Sequence, residues 1–466
     1  MVAVLSAEAW ALSGKPRPTD SRQETPVVRR PWITEALRVC GQRANRKLDF
    51  RFAQAQDVGV RYRPRRLAVT LKRALRTFPA ALVTGARQSG KTTLLRNELP
   101  RHRYLSLERP DARARALSDS EGFLNDAGTP LILDDIQYAP ALLHHVKDRI
   151  DADRRPGRYV LTGSQTFALM RGVSQSLAGR VAVLSLDPLS AGEAGGAPEA
   201  APDRLLARVF GRGSGRPLAA PSPDAADWLL RGGYPEPRLD RRVDREIWFA
   251  SYVQTYLERD VRDLLRVTDL EAFRRFLFLV ATRTGQLLNL AELGGELGFS
   301  APTVRQWLSV LQTSQVVYLL RPFHRNLGKR VRKSPKLYLM DVGLTTFLLG
   351  LHTRPAVLQG PSLGPLLETA VVTEWVKAFR GSGLEPPLSF WRASDGREVD
   401  LVIEYGGRVH AIEVKATETP VPAHAANLAA FAALAGPGTR AALACRIGSA
   451  AALRPGVRAV PWHLAW

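Results

Sequence analysis

Two groups of residues in this 466-residue chain have the types and spacing that phosphate chemistry requires. The first is Gly85–Thr92, which reads Gly-Ala-Arg-Gln-Ser-Gly-Lys-Thr, and the second is a set of carboxylates and lysines nearer the C-terminus. Glycines in such a loop let backbone N–H groups curl around phosphates, and the helix that follows presents its positive end to them. The first group therefore predicts a site for ATP with Mg²⁺.

The surroundings of this loop match what a phosphate loop needs. An apolar run, Ala80–Val83, precedes it and a helix-forming segment follows, which predicts the order strand, loop, helix. Lys91 is predicted to reach the β- and γ-phosphates, and the hydroxyl of Thr92 to ligate magnesium. The predicted nucleotide-binding residues are Gly85, Ala86, Arg87, Gln88, Ser89, Gly90, Lys91, Thr92 and Thr93.

A second apolar run, Leu131–Leu133, ends in two carboxylates. Asp134 is predicted to hold the magnesium through water, and Asp135 to orient the water that attacks the phosphate. The alternative is a pair of polar residues at an ordinary strand end. Their distance along the chain from the phosphate loop favours the functional interpretation.

Two further residues are candidates for the same site. Ser164 follows another apolar strand and is predicted to sense the γ-phosphate. Arg180 is predicted to act as an arginine finger or a phosphate sensor, with an ordinary surface arginine as the open alternative. With Asp135, these two residues complete the predicted catalytic set of the nucleotide site.

These segments resemble the bacterial and archaeal AAA-type ATPases that carry a DUF4143 domain. The resemblance rests on the runs GARQSGKTTLLR, LILDDIQYAP, VLTGSQTF, SLAGR and GGYPE, and it continues through YLERDV to about residue 417. The family's second segment usually ends in Asp-Glu, whereas this chain has Asp134 and Asp135, one methylene shorter. The resemblance implies that this chain binds ATP as the family does, and that the shorter Asp135 changes the rate of ATP hydrolysis.

The middle of the chain fits a helix-turn-helix. Apolar spacing predicts two packed helices around Gly298 and Ser300, where the glycine suits the turn and the serine an N-cap. A strand-like segment and the basic residues Lys329–Lys333 follow, which resembles a winged helix with a positive wing. Arg305, Gln306 and the wing would then face DNA. A packing module without DNA contact remains the alternative.

The C-terminal group consists of Glu368 on an apolar helix, Asp400 on a strand, and Glu413 and Lys415 on the next strand. Tyr405-Gly406-Gly407 between the two strands predicts a hairpin. Metal bound by Glu368, Asp400 and Glu413, with Lys415 beside it, could activate water against a phosphodiester. The pattern is similar to the PD-(D/E)xK nuclease fold. The alternative is a surface hairpin with ordinary charges.

Composition limits the remaining possibilities. The net charge of +22 fits either nucleic-acid binding or the arginine-rich usage of a GC-rich genome. Two distant cysteines, the absence of a long apolar stretch and the lack of a signal peptide predict a cytoplasmic protein outside the membrane, of unknown oligomeric state.

The predicted fold is α/β and multidomain, with a parallel P-loop NTPase sheet, a helical or winged-helix middle and a restriction-endonuclease-like C-terminal domain. The predicted segments are a basic, disordered extension (1–60), an AAA-like ATPase core (61–190), a linker and helical lid (191–270), a winged-helix-like unit (271–340) and a DUF4143 domain (341–466).

Two functional hypotheses follow. In the first, the chain is an Mg²⁺-dependent ATPase coupled to a nuclease-like domain that acts on DNA. In the second, it is a nucleotide-dependent switch or scaffold whose nuclease-like domain is catalytically silent. Asp135 favours the second, and the intact Glu413-x-Lys415 pattern favours the first.

Overall fold

The computed structural model arranges most of the chain beyond Tyr62 as two β-sheets covered by helices. Three predicted features lie outside the described residues: the extension at 1–60, Ser164 and the basic segment 329–333. Residues Gly59–Trp466 cluster as one compact unit. The described residues are 62–163, 173, 176–198, 201–211, 224–257, 270–324 and 334–464.

Five parallel strands form the first sheet. They are β1 (Ala80–Thr84), β2 (Arg103–Ser106), β3 (Leu131–Asp134), β4 (Tyr159–Thr162) and β5 (Val181–Ser185). The strand order is β2-β3-β4-β1-β5, with β1 between β4 and β5. Every residue of β1 is buried because helices cover both faces of a parallel sheet. The strands predicted from apolar runs are confirmed, whereas β2, whose residues are only partly buried, carries no such signal.

Helices precede the first of these strands and fill the connections between them. They are α1 (Arg66–Ala74), α2 (Lys91–Glu98), α3 (Pro110–Ser118), α4 (Ser120–Ala127) and α5 (Leu142–Ala152). Helix α1 is amphipathic, and its buried residues include Leu67, Ala68 and Leu71. Helix α2 begins directly after the phosphate loop, and its Leu94 and Leu95 pack in the core beneath β1. This packing fixes the start of the helix relative to the strand.

Five short helices follow, in the region predicted to be a linker and lid. They are α6 (Ala191–Ala194), α7 (Pro202–Phe210), α8 (Ala225–Arg231), α9 (Pro235–Leu239) and α10 (Arg245–Tyr252), which continues as a π-helical turn over Val253–Leu257. Helix α7 lies in the Gly- and Pro-rich part of this region. Its Leu205 and Val209 are fully buried in the C-terminal core, so the apolar spacing within this Gly- and Pro-rich stretch marks a packed helix.

The middle region combines three helices with three antiparallel strands. They are α11 (Leu270–Thr282), β6 (Gln286–Leu287), α12 (Leu290–Leu297), α13 (Ala301–Thr313), β7 (Val317–Pro322) and β8 (Lys336–Leu339). Strand β8 pairs with both β6 and β7. The predicted turn and cap are confirmed: Gly298 has a φ of 74°, and the Ser300 hydroxyl accepts the N–H of Thr303.

The C-terminal region adds four helices and six strands. They are α14 (Val342–Leu348), α15 (Arg354–Gln359), α16 (Leu363–Gly381), β9 (Leu388–Arg392), β10 (Glu398–Tyr405), β11 (Arg408–Val414), α17 (Ala426–Ala435), β12 (Arg440–Cys445), β13 (Ala451–Arg454) and β14 (Val457–Pro461). The predicted hairpin is β10–β11, with Gly406 and Gly407 in the left-handed region. Strands β7 and β9 pair in parallel, which joins the middle strands to this sheet in the order β13-β14-β12-β11-β10-β9-β7-β8-β6.

Within the part of the chain that the structure describes, no helix has both the length and the apolar character that a membrane span needs.

Candidate nucleotide site and C-terminal carboxylate cluster

The phosphate loop joins β1 to α2 at the carboxyl edge of the parallel sheet. Gly85 and Gly90 have φ values of 150° and 94°, a region that disfavours side chains. A Cβ at Gly85 would lie 2.2 Å from the carbonyl oxygen of Leu186, so the close approach of two backbones also requires this glycine. The loop brings the N-terminal end of α2, which is the positive end of the helix dipole, to the same edge.

Lys91 begins α2, and its ammonium turns back over the loop. Its Nζ donates hydrogen bonds to the carbonyl oxygens of Gly85, at 3.1 Å, and Ala86, at 2.9 Å. The cation therefore lies above the backbone that the sequence predicts to surround the phosphates. This position fits the predicted role of Lys91 as the residue that meets phosphate oxygens.

Asp134 is the centre of a hydroxyl network at the end of β3. Its Oδ2 accepts hydrogen bonds from Thr92 Oγ1 at 2.7 Å and from Tyr104 Oη at 2.6 Å. Its Oδ1 accepts one from the hydroxyl of Thr162. Mg²⁺ binds oxygen ligands, mostly carboxylates, hydroxyls, waters and substrate phosphates. The donor set of Thr92 and Asp134 fits that ion.

Asp135 follows directly, in the left-handed region with a φ of 59°. Its backbone N–H donates to the Thr162 hydroxyl at 3.1 Å, and its carboxylate accepts a hydrogen bond from the Gln137 amide at 2.9 Å. Burial raises the pKa of Asp135 above its ordinary value, and the hydrogen bond from Gln137 and the charge of Lys91 oppose that rise. A raised pKa suits a carboxylate that takes part in proton transfer.

Arg180 is not brought to the phosphate loop of its own chain. Val181, the next residue, pairs with Ala80 at the amino ends of their strands, whereas the loop follows the carboxyl end of β1. The Arg180 guanidinium instead makes two hydrogen bonds to Asp151, at 2.5 and 2.9 Å. Arg180 therefore lies away from the phosphate loop of its own chain, and its role as an arginine finger or phosphate sensor stays a prediction.

Arg65 is a second cation that contacts the loop, and the sequence interpretation missed it. The side chain is 5% exposed. Its Nη1 donates to the carbonyl oxygen of Ser89 at 2.9 Å, and its Nη2 to that of Asp187 at 2.6 Å. Its Nε lies 3.0 Å from a carboxylate oxygen of Glu193. Tyr104 and Thr162 were missed as well, because only the pairing of β2 and β4 with β3 brings them to Asp134.

The predicted C-terminal residues also come together, but around an unpredicted lysine. Glu368 on α16 and Asp400 on β10 both approach the ammonium of Lys336, which begins β8, at 2.8 and 3.5 Å. Glu398 makes a third, closer contact with that ammonium. The second oxygen of Asp400 accepts the backbone N–H of Val414 at 2.8 Å.

The charges of this cluster shift several pKa values. Burial alone would lower the pKa of Lys336, but the surrounding carboxylates outweigh it and raise that pKa above its usual range. Burial and the charge of Asp400 raise the pKa of Glu368 to about 7. The same two causes raise the pKa of Glu413 to about 7.

Glu413 pairs with Lys415 as their spacing predicts, with Nζ 2.9 Å from Oε1. Asn427 Nδ2 lies 3.5 Å from the same oxygen, while Oε2 is buried without a hydrogen-bond partner in the described part of the chain. Lys415 is half-exposed, so it faces the opening of the cluster.

The fit to a metal ion differs between the two sites. Among the described residues, no group of three or more acidic, histidine or cysteine side chains is arranged to hold a metal. The metal set of Glu368, Asp400 and Glu413 stays a prediction, and Lys336 contacts the first two of these carboxylates. Thr92 and Asp134 remain suited to magnesium that arrives with a nucleotide.

Comparison with known families identifies three segments. Residues 77–195 match an AAA domain, residues 222–354 a domain of unknown function (DUF8612), and residues 363–464 another domain of unknown function (DUF4143). The resemblance to AAA-type ATPases with DUF4143 is thus confirmed for those two domains. The five-stranded parallel sheet and its loop are those of a nucleotide-binding P-loop ATPase.

Two mycobacterial proteins are similar over most of the chain. The uncharacterized protein Rv2008c of Mycobacterium tuberculosis is 33% identical over 357 residues, which cover 76% of this chain and 74% of the relative. The uncharacterized protein Mb2031c of Mycobacterium bovis gives the same values.

Among solved structures, a Walker-type ATPase of Pyrococcus abyssi shares 15% identity, covering 60% of this chain and 94% of its own, with a TM-score of 0.38. A RuvB structure of Thermotoga maritima shares 18% identity over 54% of this chain and 88% of its own, with a TM-score of 0.26. Neither likeness is close enough to carry an argument about function.

Proposed function

From the premise that this chain belongs to the family of the two mycobacterial proteins, with an AAA domain followed by DUF4143, we propose that it is a magnesium-dependent ATPase acting as a nucleotide-dependent switch. The observation that carries the proposal is the hydrogen bond from Thr92 to Asp134, next to Asp135 and the loop that holds Lys91. These four side chains supply the contacts that ATP and magnesium need.

Each of these residues has a defined task. Thr92 and Asp134 hold the magnesium ion, which neutralises charge on the phosphate oxygens when bound. Tyr104 and Thr162 orient the Asp134 carboxylate through their hydroxyls. Asp135 orients the attacking water, and its shorter side chain reaches less far than the usual glutamate. The enzyme is therefore suited to slow turnover, as a switch requires.

The substitution Asp135→Asn tests the hydrolytic step. It keeps the size of the side chain and removes its charge, so ATP binding is expected to persist while turnover falls by about 100-fold or more. Phosphate release under saturating Mg-ATP measures turnover, and equilibrium binding of a fluorescent ATP analogue measures ATP binding. The exposed Asp148→Asn on α5 is the matched control and should leave both unchanged. Wild-type protein without any ATP turnover would reject the ATPase proposal.

The switch part of the proposal is supported by a chain of contacts from the phosphate loop to the C-terminal domain. Arg65 contacts the loop at Ser89 and also the backbone of Asp187. The Asp187 carboxylate accepts a hydrogen bond from Arg380 on α16 at 2.9 Å. Helix α16 also carries Glu368, so a displacement of the loop on nucleotide binding has a direct route to the C-terminal cluster.

A second route parallels the first. The Glu374 carboxylate on α16 accepts the backbone N–H of Ala191 at 2.9 Å, and Lys377 donates to the carbonyl oxygen of Leu189 at 3.2 Å. Both partners lie just after β5, the strand that pairs with β1 beside the loop. The two routes together support coupling between the nucleotide site and α16.

Nucleic-acid binding by the middle region is a second candidate function. The observation that favours it is the element order α11-β6-α12-α13-β7-β8 with an antiparallel sheet, which is the order of a winged helix. Arg305 and Gln306 are exposed on α13, the helix that would enter a groove of DNA. The alternative is a packing module that never contacts DNA.

ATP turnover measured with and without duplex and single-stranded DNA separates these possibilities. We expect DNA to change the turnover rate and to bind less tightly at higher salt, because phosphate contacts release counterions. The double substitution Arg305→Ala and Gln306→Ala should weaken that binding, with the exposed Arg101→Ala on the ATPase domain as a control. Turnover and binding that are indifferent to all nucleic acids would exclude this function.

A further inference from the structure

The C-terminal carboxylate cluster contains its own cation. We propose that Lys336 is the permanent counter-ion of Glu368, Glu398 and Asp400, and that it excludes a divalent metal from this cluster in the native protein. The inference goes beyond the ATPase proposal, because it concerns a different site. It predicts that the DUF4143 domain does not act as a metal-dependent nuclease.

The position of the ammonium carries this inference. The Lys336 side chain is 3% exposed, and its Nζ contacts all three carboxylates, including Glu368 at 2.8 Å. A buried charge is stable only when it is paired and hydrogen-bonded, and Lys336 meets this condition completely. The phenol of Tyr338 donates a hydrogen bond to the same oxygen of Glu368 at 2.6 Å, so that oxygen already has two hydrogen-bond donors.

A metal at the predicted position would have to share Asp400 with this ammonium. Asp400 Oδ1 lies 3.5 Å from Lys336 Nζ, and its Oδ2 accepts the N–H of Val414. A divalent ion bound to Asp400 would therefore lie beside a positive charge in a poorly solvated place, where like charges repel strongly. Moving Lys336 away would leave Glu368 without its cation and Glu398 with Arg392 alone.

The strand pairing explains why the lysine is there. Lys336 begins β8, whose neighbour β7 pairs with β9 of the C-terminal sheet. The ammonium thus extends from the middle region into the C-terminal cluster and joins the two regions by ionic contacts. A cluster with this structural task does not need to be open to metal.

The carboxylate of Glu413 is the place in this cluster where a bound metal ion is easiest to test. Glu413 Oε2 is buried without a hydrogen-bond partner among the described residues, so either a proton or a small cation could satisfy it. Lys415 already contacts the other oxygen of this carboxylate. A divalent ion there would use Glu413 and Asp400 together, and its presence can be measured directly.

Binding of Mn²⁺ to the full chain without nucleotide is the experiment, measured by electron paramagnetic resonance and by calorimetry. Wild-type protein, Asp400→Asn and Glu413→Gln should show the same total Mn²⁺ binding, because the cluster itself binds no Mn²⁺. Lys336→Met, which keeps the length of the side chain but not its charge, should bind one Mn²⁺ ion more than the wild type, because the repelling cation is gone. Adding Asp400→Asn to Lys336→Met should abolish the gain, and Lys147→Met on α5 is the neutral control.

Two results would overturn the proposal. The first is an Mn²⁺ site in wild-type protein that Asp400→Asn or Glu413→Gln removes. The second is a folded Lys336→Met variant with no gain in Mn²⁺ binding. If Lys336→Met fails to fold, the comparison of wild type with Asp400→Asn and Glu413→Gln still decides. Loss of ATP turnover in any of these variants concerns the proposed switch and is measured separately.

Discussion

Lys91→Ala is expected to weaken ATP binding by at least about 100-fold, because the loss of charge-assisted contacts to two phosphates costs about 3 kcal/mol or more. In the structure the ammonium lies over the loop, where it donates to Gly85 and Ala86. The alanine variant keeps α2, since alanine is the strongest helix former. Equilibrium binding of a fluorescent ATP analogue with magnesium measures the effect.

The half-exposed Lys147 on α5 offers a matched control for this substitution. Lys147→Ala removes the same side chain and should leave the affinity for ATP unchanged. The thermal unfolding of both variants shows whether the fold persists. Normal ATP binding by a folded Lys91→Ala variant would contradict the assignment of the phosphate loop as the nucleotide site.

Arg65→Met is expected to lower the free energy of unfolding by about 3–5 kcal/mol, the usual cost of removing one partner from a buried ion pair. The variant leaves the Glu193 carboxylate buried without its cation, and the carbonyl oxygens of Ser89 and Asp187 without a donor. Glu193 itself accepts the backbone N–H groups of Arg66 and Ser190, which keep it in place. Urea denaturation of the wild type and the variant measures the difference.

A double-mutant cycle identifies the origin of this loss. Adding Glu193→Gln to Arg65→Met removes the unpaired charge, so the double variant should recover part of the stability. The exposed Arg76→Met, just beyond the end of α1, is the control and should change stability by less than about 0.5 kcal/mol. Unfolding free energies that are equal in wild type and Arg65→Met would show that the pair has no structural role.

The same variant tests the coupling between the nucleotide site and the C-terminal domain. Arg65 contacts the loop on one side and the backbone of Asp187 on the other. At a temperature where Arg65→Met is folded, ATP should protect the amides of α16 from hydrogen exchange less than it does in the wild type. Equal protection would place the coupling on the second route, through Glu374 and Lys377.

The sequence by itself determined those features that depend on neighbouring residues. The phosphate loop, the strand before it and the helix after it lie within some twenty residues, and their glycines and apolar side chains specify the local backbone. The caps at Ser300 and the hairpin turn at Gly406 follow from the same local chemistry. The matching AAA and DUF4143 domains confirm the resemblance to AAA-type ATPases with DUF4143 that these motifs indicated.

Only the tertiary structure decided which distant side chains share a site. Arg180 precedes β5 and the phosphate loop follows β1, so the two lie at opposite ends of these paired strands. No pattern in the sequence specifies at which end of the sheet Arg180 lies. Tyr104 reaches Asp134 through the pairing of β2 with β3.

Lys336 is the clearest case. In the sequence it is one cation next to a basic segment. In the fold it is the buried partner of Glu368, Glu398 and Asp400, the first and last of which were predicted to bind a metal. The pairing of β8 with β7 and of β7 with β9 brings this lysine to the cluster. Buried carboxylates need a cation nearby, and the fold determines which residue supplies it. The identity of that residue depends on contacts between residues far apart in the sequence.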